Sequence, residues 1–207
     1  KEYAKLLVVS GLALKEGQNV VIQANCDQED FVSLVVKQCY SAGANRVFVH
    51  WNSQKVGRVA YKKAKQKALE EVLPFEEAEE AWKSEDLPCS LWIDSDDPDG
   101  NRGVDANKVA SIRADRYHVL GKYKEARENR YQWCIAGAAS PEWAKKVFPG
   151  LRKSLAVEKL WEAILLTSRA QDGKGIENWE KHNTELKKRC AYLNSLRLKE
   201  LHYTSSN

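Results

Sequence analysis

Hydrophobic and polar residues follow two alternating periods along this chain, and the alternation predicts strands separated by helices. Short apolar runs rich in β-branched and aromatic residues predict strands. There are four such runs, at residues 19–24, 46–51, 89–94 and 131–136. Because helical periodicity fills the stretches between them, we expect an α/β fold. It should be an open parallel sheet of about four strands with helices on both faces, followed by C-terminal helices.

Apolar residues at helical spacing predict eight helices, and turn residues mark several of their ends. The expected helices cover residues 3–14, 28–42, 56–72, 75–83, 106–128, 141–148, 155–169 and 177–196. Gly43 is placed to end the second helix as a C′ glycine. Ser140 and Pro141 form a good N-cap and first turn for the helix that follows the fourth strand.

The pattern divides the chain into a large domain and a short tail. We assign residues 1–197 to an N-terminal α/β domain with trailing helices, because the pattern becomes purely helical from about residue 154. Residues 198–207 read LKELHYTSSN, which is typical of a strand that has just begun. A self-sufficient module would not end on an apolar strand without a partner.

Composition and charge narrow the class of protein. The 207 residues are 43% hydrophobic and 30% charged with a net charge of +4, which is ordinary for a globular protein. A lysine-rich stretch at residues 62–67 is followed at once by a glutamate-rich one at residues 70–80, which predicts a solvated helix surface rather than a nucleic-acid footprint. The apolar runs are too short for a membrane span, and the N-terminus lacks the features of a signal peptide. We expect a cytoplasmic protein without nucleic acid or membrane partners.

The five cysteines also favour a cytoplasmic protein. Their number is odd, and no two of them form a CxxC pair. A disulfide framework or a zinc site is therefore not expected, and reduced cysteines in a cytosolic core fit better.

Two loops lie where an open parallel sheet usually binds ligands. Residues 137–140, GAAS, follow the fourth strand, and a structural turn with a good helix cap is favoured over a ligand site. The acidic loop after the third strand, with Asp97, Asp99 and Gly100, matches a calcium loop only in part. The position of the required bidentate Glu is Ala106. We therefore expect a solvated turn, with Asp105 capping the next helix.

Other catalytic patterns are missing. His50, His118, His182 and His202 stand in no HxH, HxxH or HExxH motif, and QANCDQED takes the place of a glycine-rich phosphate loop after the first strand. There is no GxxxxGK[ST] or GxSxG motif either. The seven tryptophans are expected to pack between helices and sheet, or else to line a hydrophobic cleft. These residues suggest an accessory domain whose chemistry lies elsewhere.

Four stretches in the right order resemble the thermophilic-type metallo-aminopeptidases, the family of aminopeptidase T, AmpS and PepS. They are LLVVSGLALKEGQNVVIQAN, GVDANK, QWCIAGAASPEWAKKVFP and the C-terminal NWEKHNTELKKRCAYLNSLRLKELHYTSSN. In the last stretch, the residues that match the family pattern are Trp179, His182, Asn183, Leu193 and Asn194.

The resemblance implies an N-terminal α/β domain followed by a C-terminal catalytic domain. Members of the family are dimeric exopeptidases that remove N-terminal residues from peptides with two divalent metal ions, Zn, Co or Mg. Their Glu, His, Asp and Tyr ligands lie in the C-terminal domain. The resemblance therefore assigns no catalytic residue and no metal ligand to this chain, and it leaves the substrate contacts open.

The expected role of this domain is to wall the substrate cavity and select short peptides by size. The chain alone should hold no metal ion and be inactive. The alternative is a stand-alone α/β module that binds a small molecule or another protein; a nucleotide-dependent enzyme is a weaker third reading. A finished, paired strand at residues 198–203 would favour the module.

Overall fold

The computed structural model describes residues 1–205, and its centre is a four-stranded parallel sheet. The strands are β1 (Val20–Asn25), β2 (Val47–Asn52), β3 (Cys89–Asp94) and β4 (Trp133–Gly137). They lie in the order β2-β1-β3-β4, with Ile22 opposite Val49 and Leu91, and Leu91 opposite Cys134. The predicted open parallel sheet is confirmed, and each strand lies within two residues of its expected position.

Nine α-helices surround this sheet in the described part of the chain. They are α1 (Glu2–Leu6), α2 (Glu29–Ser41), α3 (Gln54–Lys63), α4 (Gln66–Glu70), α5 (Pro74–Asp86), α6 (Ala106–Arg127), α7 (Pro141–Val147), α8 (Lys153–Thr167) and α9 (Gly175–Ser195). A π-helical turn, Leu7–Gly11, continues α1, and a 3-10 turn, Cys26–Gln28, follows β1. The predicted N-terminal helix therefore changes its winding after its first turn.

The main hydrophobic core lies on one face of the sheet. Val20, Ile22 and Leu91 project from the strands into it and are fully buried. Val35 and Cys39 on α2 meet them, and α1, α7 and α8 complete the layer. Each such aliphatic side chain contributes about 1.5–3 kcal/mol by leaving water, so this face carries most of the stability of the fold.

The second face of the sheet is covered less completely. Phe48 on β2 packs edge-on against Trp82 of α5, with ring centroids 5.1 Å apart. On β4, however, Trp133 and Ile135 are 58% and 63% exposed. Helices thus lie on both faces of the sheet, but on this face they leave the edge strand β4 uncovered.

The acidic run before β3 joins α5 to α6, so the expectation of a solvated surface is wrong for this part of it. The Glu80 carboxylate contacts Lys83 Nζ at 3.1 Å and Arg127 Nη1 at 2.8 Å. The contact with Arg127 is an ion pair, because its angles are not those of a hydrogen bond. Arg116 Nη2 donates to Glu76 Oε1 at 2.6 Å. These pairs are possible because α6 returns alongside α5, which the local sequence does not reveal.

The single helix predicted over residues 56–72 is two helices, α3 and α4. The chain is extended at Ala64 and Lys65, between them. Lys108 of α6 donates from Nζ to the carbonyl oxygens of Tyr61 and Ala64, at 2.7 and 2.9 Å. A distant lysine thus satisfies the carbonyls that continued helix would have paired.

Helix α9 leaves the body of the domain. Its first turns pack against α1, and Trp179 Nε1 donates to the Ser168 carbonyl oxygen at 2.8 Å. Every residue from Asn183 to the end of the helix is exposed. Residues 198–205 form no strand, and Ser206 and Asn207, which complete the predicted strand start, lie outside the described residues. Within residues 1–205, no helix has the length and apolar character needed to cross a bilayer.

Candidate functional site

After β1 the next strand, β2, is added on one side of the sheet, and after β3 the next strand, β4, is added on the other side, which places a crevice between the carboxyl ends of β1 and β3. Helix α2, after β1, covers the core face, whereas α6, after β3, lies over the opposite face. Ligands of open α/β sheets usually bind at such a point. The crevice here has a volume of about 350 Å³ and is lined by Asn25, Asn52, Asp94 and Asp96, among others.

Hydrogen bonds tie the two loops of this crevice together. The Asn25 amide donates to Ser95 Oγ at 3.1 Å and to Asp96 Oδ1 at 2.8 Å. The Ser95 hydroxyl donates to Asp27 Oδ1 at 3.3 Å. The polar groups of the crevice thus serve largely to hold the loops after β1 and β3 in place.

The acids of the loop after β3 also have structural partners. Asp97 is joined to Gln54 by two hydrogen bonds of 3.0 Å, one through its carbonyl oxygen and one through its backbone N–H. Lys146 donates to Asp99 Oδ2 at 2.8 Å, and this bond lowers the pKa of Asp99 below its usual value. The predicted cap is confirmed, since Asp105 Oδ1 accepts from the N–H of Asn107 at 2.9 Å.

Among residues 1–205, no three His, Cys, Asp or Glu side chains come together in a group that could hold a metal ion. The residues that the structure describes therefore do not form a cradle for a divalent ion.

The turn at residues 137–140 is filled by the domain itself. Tyr3 donates from its hydroxyl to the Gly137 carbonyl at 3.2 Å, and burial raises the pKa of Tyr3 to about 12. Gln28 reaches the Ala139 carbonyl at 3.5 Å, and Ser140 accepts from the N–H of Trp143 at 3.4 Å. Because residues 138–140 are buried, the turn is structural, and the expected role of the domain as a wall of the substrate cavity stays a prediction.

The histidines are spread over separate parts of the fold. His50 Nε2 lies 3.5 Å from Glu79 Oε1, and the His182 ring packs edge-on against Trp179 with centroids 5.4 Å apart. Each of these two histidines contacts a residue of its own region of the fold, so the contacts do not belong to one shared site. The elements that carry the four are β2 for His50, α6 for His118, α9 for His182 and the tail for His202.

The tryptophans divide between the two roles that the sequence left open. Trp161 packs against Phe31 with centroids 5.3 Å apart, and Trp82 packs against Phe48, as expected for core residues. Trp92 and Trp133 instead line a cleft between the second face of the sheet and α6.

This cleft lies under α6, a position that the sequence did not predict. Its volume is about 850 Å³, within the range of small-molecule sites. One signal was available, because the helix at residues 106–128 lacks the apolar stripe that a helix normally turns towards a sheet. Arginine and lysine occupy much of that face instead.

The whole chain matches one known family. The sequence profile of the thermophilic metalloproteases (M29) aligns with residues 1–207. The chain belongs to the M29 thermophilic metalloprotease family. This result confirms the resemblance to the family of aminopeptidase T, AmpS and PepS.

Individual M29 relatives agree with the family match. The chain is 32% identical to aminopeptidase AmpS of Bacillus subtilis over 97% of its own length and 49% of the relative's. It is 32% identical to aminopeptidase T of Thermus thermophilus over 98% of its length and 50% of the relative's. The solved structure of wild-type AmpT from that organism superimposes with a TM-score of 0.81 at 31% identity, covering 95% of this chain and 48% of that one.

The M29 match therefore has a clear limit. The chain spans about half the length of the relatives that it matches. The superposition with AmpT confirms the α/β fold of this half.

Proposed function

We propose that this chain is the N-terminal α/β domain of a metal-dependent aminopeptidase that removes N-terminal residues from short peptides. The observation that carries the proposal is the M29 match over residues 1–207, combined with relatives named aminopeptidases that are about twice as long. In the intact protein, a C-terminal domain would perform the catalysis.

The proposed boundary lies after residue 197. Support comes from the end of α9 at Ser195 and from the irregular conformation of residues 198–205. Leu186, Leu193 and Leu196 lie along one side of the helical stretch and are 42%, 49% and 45% exposed. A helix with an apolar stripe normally packs that stripe against a partner. We assign this role to the catalytic domain.

Two divalent ions, Zn, Co or Mg, would be held by the catalytic domain. The described residues of this chain offer no group of ligands for them. The α/β domain would therefore act by walling the substrate cavity and restricting the length of peptides that enter. A cytoplasmic location and a homodimeric assembly complete the proposal. The location rests on the apolar runs, the N-terminus and the cysteines of this chain, and the homodimer rests on the family resemblance.

A comparison of two proteins tests this proposal. The intact protein and the 207-residue chain are each assayed with aminoacyl-p-nitroanilides and short peptides, with added Co²⁺, Zn²⁺ or Mg²⁺. We expect metal-dependent turnover by the intact protein, loss of turnover with a chelator, and none by the 207-residue chain. The matched control is the same peptide with an acetylated N-terminus, which an exopeptidase of this kind should leave intact.

Two results would contradict the proposal. Robust metal-dependent turnover by the 207-residue chain would place ligands in this half. No turnover by the intact protein on any free N-terminus would instead favour the α/β binding or interaction module.

A further inference from the structure

Basic residues are concentrated in one part of this chain. Residues 31–69 contain eight lysines and arginines and no aspartate or glutamate, although the whole chain has 29 acidic residues. Six of the eight lie within or between α3 and α4: Lys55, Arg58, Lys62, Lys63, Lys65 and Lys67. These two helices therefore contain no carboxylate before Glu70, the last residue of α4.

The six basic groups also lack carboxylate partners from the rest of the fold. None of them forms an ion pair with a carboxylate of residues 1–205, whereas Arg116 and other cations elsewhere do. Glu142 lies near Lys55, but its carboxylate contacts Lys153 Nζ at 2.7 Å. The hydrogen bond from Lys153 is the main cause of the lowered pKa of Glu142, and Lys55 contributes a smaller part. The positive charge of α3 and α4 is thus not neutralised within the described fold.

Helix α3 has an inner side towards the domain and an outer side towards solvent. On the inner side, the Gln54 side chain is bound to Asp97, and Lys108 donates to the Tyr61 carbonyl oxygen. The outer side consists of five exposed residues, whose spacing places them together on one side of the helix: Lys55, Val56, Val59, Lys62 and Lys63. We call these five residues the outer face of α3.

Two exposed valines form the centre of the outer face. Val56 and Val59 lie about one turn apart and are 68% and 61% exposed. Lys63 continues their row by one more turn, and Lys55 and Lys62 lie along one flank of it. An apolar row with a charged flank is the pattern by which one helix recognises another.

The two flanking lysines are too far apart to share one anionic group. Lys55 and Lys62 are seven residues apart, which corresponds to about 10.5 Å along the helix axis. Each ammonium group therefore requires a carboxylate of its own. A partner helix with two glutamates seven residues apart presents carboxylates at this same spacing, and its apolar row would meet the valines.

The residues of the outer face favour a protein partner over other polyanions. Nucleic acid would bring phosphate groups to the lysines, but phosphate groups offer no apolar surface to Val56 and Val59. An anionic bilayer requires a broader apolar face, usually with large side chains such as Trp, Phe or Leu. An acidic amphipathic helix suits both the lysines and the valines.

The position of α3 separates it from the surface assigned to the second domain. Helix α3 follows β2, which is one edge strand of the sheet. Helix α9 packs against the π-helical turn at residues 7–11, and that turn lies against β4, the opposite edge strand. A domain that covers α9 would approach the edge of the sheet that is farther from β2. The outer face of α3 is therefore left for another protein.

We propose that the outer face of α3 binds an acidic amphipathic helix of a separate protein. The apolar row of that helix covers Val56 and Val59, and two of its carboxylates, seven residues apart, meet Lys55 and Lys62. Charge complementarity of this kind speeds association and selects the partner. The inference does not rest on aminopeptidase activity, because the outer face acts through binding alone.

Fluorescence anisotropy tests the proposal with a labelled synthetic peptide as the probe. The peptide has about 20 residues, enough to form a helix, with a row of leucines flanked by glutamates at intervals of seven. Its N-terminus is acetylated, so that the proposed aminopeptidase activity cannot shorten it. The matched control peptide carries Gln in place of each flanking Glu. We expect saturable binding of the Glu peptide to the intact protein and to the 207-residue chain. The Gln peptide should bind about tenfold more weakly or worse.

Two double variants locate the binding. Lys55→Glu combined with Lys62→Glu should weaken the affinity for the Glu peptide about tenfold or more, because attraction becomes repulsion. Val56→Ser combined with Val59→Ser should weaken it about tenfold as well, because the apolar contact is lost. Since all four side chains are exposed, the core is not altered, and thermal unfolding of each variant verifies that the fold is intact.

A matched control separates the outer face from the net charge of the protein. Lys37→Glu combined with Lys124→Glu changes the net charge by the same amount at two exposed positions on other helices. Because charges separated by more than a Debye length, about 8 Å at physiological ionic strength, are largely screened, this variant should bind the Glu peptide as the parent does.

Other outcomes overturn the proposal. Equal affinity for the two peptides, or binding that survives the double Lys→Glu substitution, would remove the role of the lysines. Binding that depends on the lysines but not on the valines, and that duplex DNA displaces, would identify a general polyanion surface. Binding to the 207-residue chain but not to the intact protein would mean that the second domain covers α3. Absence of binding to both proteins would exclude an acidic helix as the partner of this face.

Discussion

Replacing Gly43 or Gly57 by alanine should have opposite effects on the stability of the fold. Gly43 follows α2 with φ at +90°, and a Cβ there would lie 3.0–3.2 Å from Glu16. Gly57 is inside α3, and nothing lies within 4 Å of an added Cβ. We expect Gly43→Ala to lower the free energy of unfolding by about 1–3 kcal/mol. Gly57→Ala should raise it by about 0.5–1 kcal/mol.

Urea denaturation of the two variants and the parent chain measures this difference. The pair is internally controlled, because both substitutions add the same methyl group. Equal effects of the same sign would show that helix propensity, rather than conformation and contact at Gly43, determines the result.

The same residues show what a sequence reveals at this scale. Gly43 was predicted to end a helix, because its signal lies within a few residues of it. Gly11 carried no such signal. It lies against Cys134, where a Cβ would come within 2.9 Å of Sγ, and that neighbour is far away in the chain. Local conformation could therefore be predicted from the sequence, whereas tight packing between distant segments could not.

At the scale of elements, Glu80 holds α5 against α6. Burial alone would raise the pKa of Glu80, but Lys83 and Arg127 outweigh this effect and lower it below its usual value. The ionised carboxylate therefore stabilises the fold above the pKa of an unfolded Glu, and this stabilisation is lost as the pH falls through the lower folded pKa. We expect Glu80→Gln to lower the free energy of unfolding by about 2 kcal/mol at pH 7. The difference from the parent should shrink below pH about 4.

Denaturation at a series of pH values checks the expectation, with Glu142→Gln as the control. Glu142 also contacts a lysine, since Lys153 Nζ lies 2.7 Å from it, but both side chains are more than half exposed. An exposed pair contributes only about 0–1 kcal/mol. A loss for Glu80→Gln that stays the same at pH 3 and pH 7 would exclude the ion pairs as its cause.

The strands and helices were largely predictable because each is coded by its own periodicity and turns. Asp105 was correctly assigned as a cap, and Cys89–Asp94 was predicted with the bounds that the structure has. The break between α3 and α4 was missed, because Lys108 supplies its hydrogen bonds from another helix. The cleft under α6 was missed for the same reason, since it depends on how far a polar helix stands from a sheet.

At the scale of the whole molecule, the absence of a recognised catalytic motif and the family resemblance led to the interpretation of this chain as half of an enzyme. The M29 match and the half-length coverage of the relatives agree with that interpretation. The role of the carboxyl edge was harder to predict, because Tyr3 and Gln28 close its turn from segments far along the chain. Sequence patterns predict the order of the helices and strands, whereas tertiary contacts determine which edges of the sheet are accessible to a ligand.

The exposed half of α9 should behave differently in the 207-residue chain and in the intact protein. Residues 183–195 form about thirteen residues of helix that are exposed throughout, and an isolated helix of roughly that length is marginal in water. We therefore expect the amides of this segment to exchange hydrogen rapidly in the 207-residue chain. They should exchange at least about tenfold more slowly in the intact protein, where a covering domain would stabilise the helix.

Hydrogen exchange followed by mass spectrometry measures both proteins, and α2 is the matched internal control. Val32, Val35 and Cys39 anchor α2 in the core, so its amides should exchange slowly in both proteins. Rapid exchange of residues 183–195 in the intact protein as well would contradict a covering domain on α9. In that case the apolar stripe of Leu186, Leu193 and Leu196 would stay exposed, and the second domain would have to dock on another surface, such as the uncovered side of β4, where Trp133 and Ile135 are exposed.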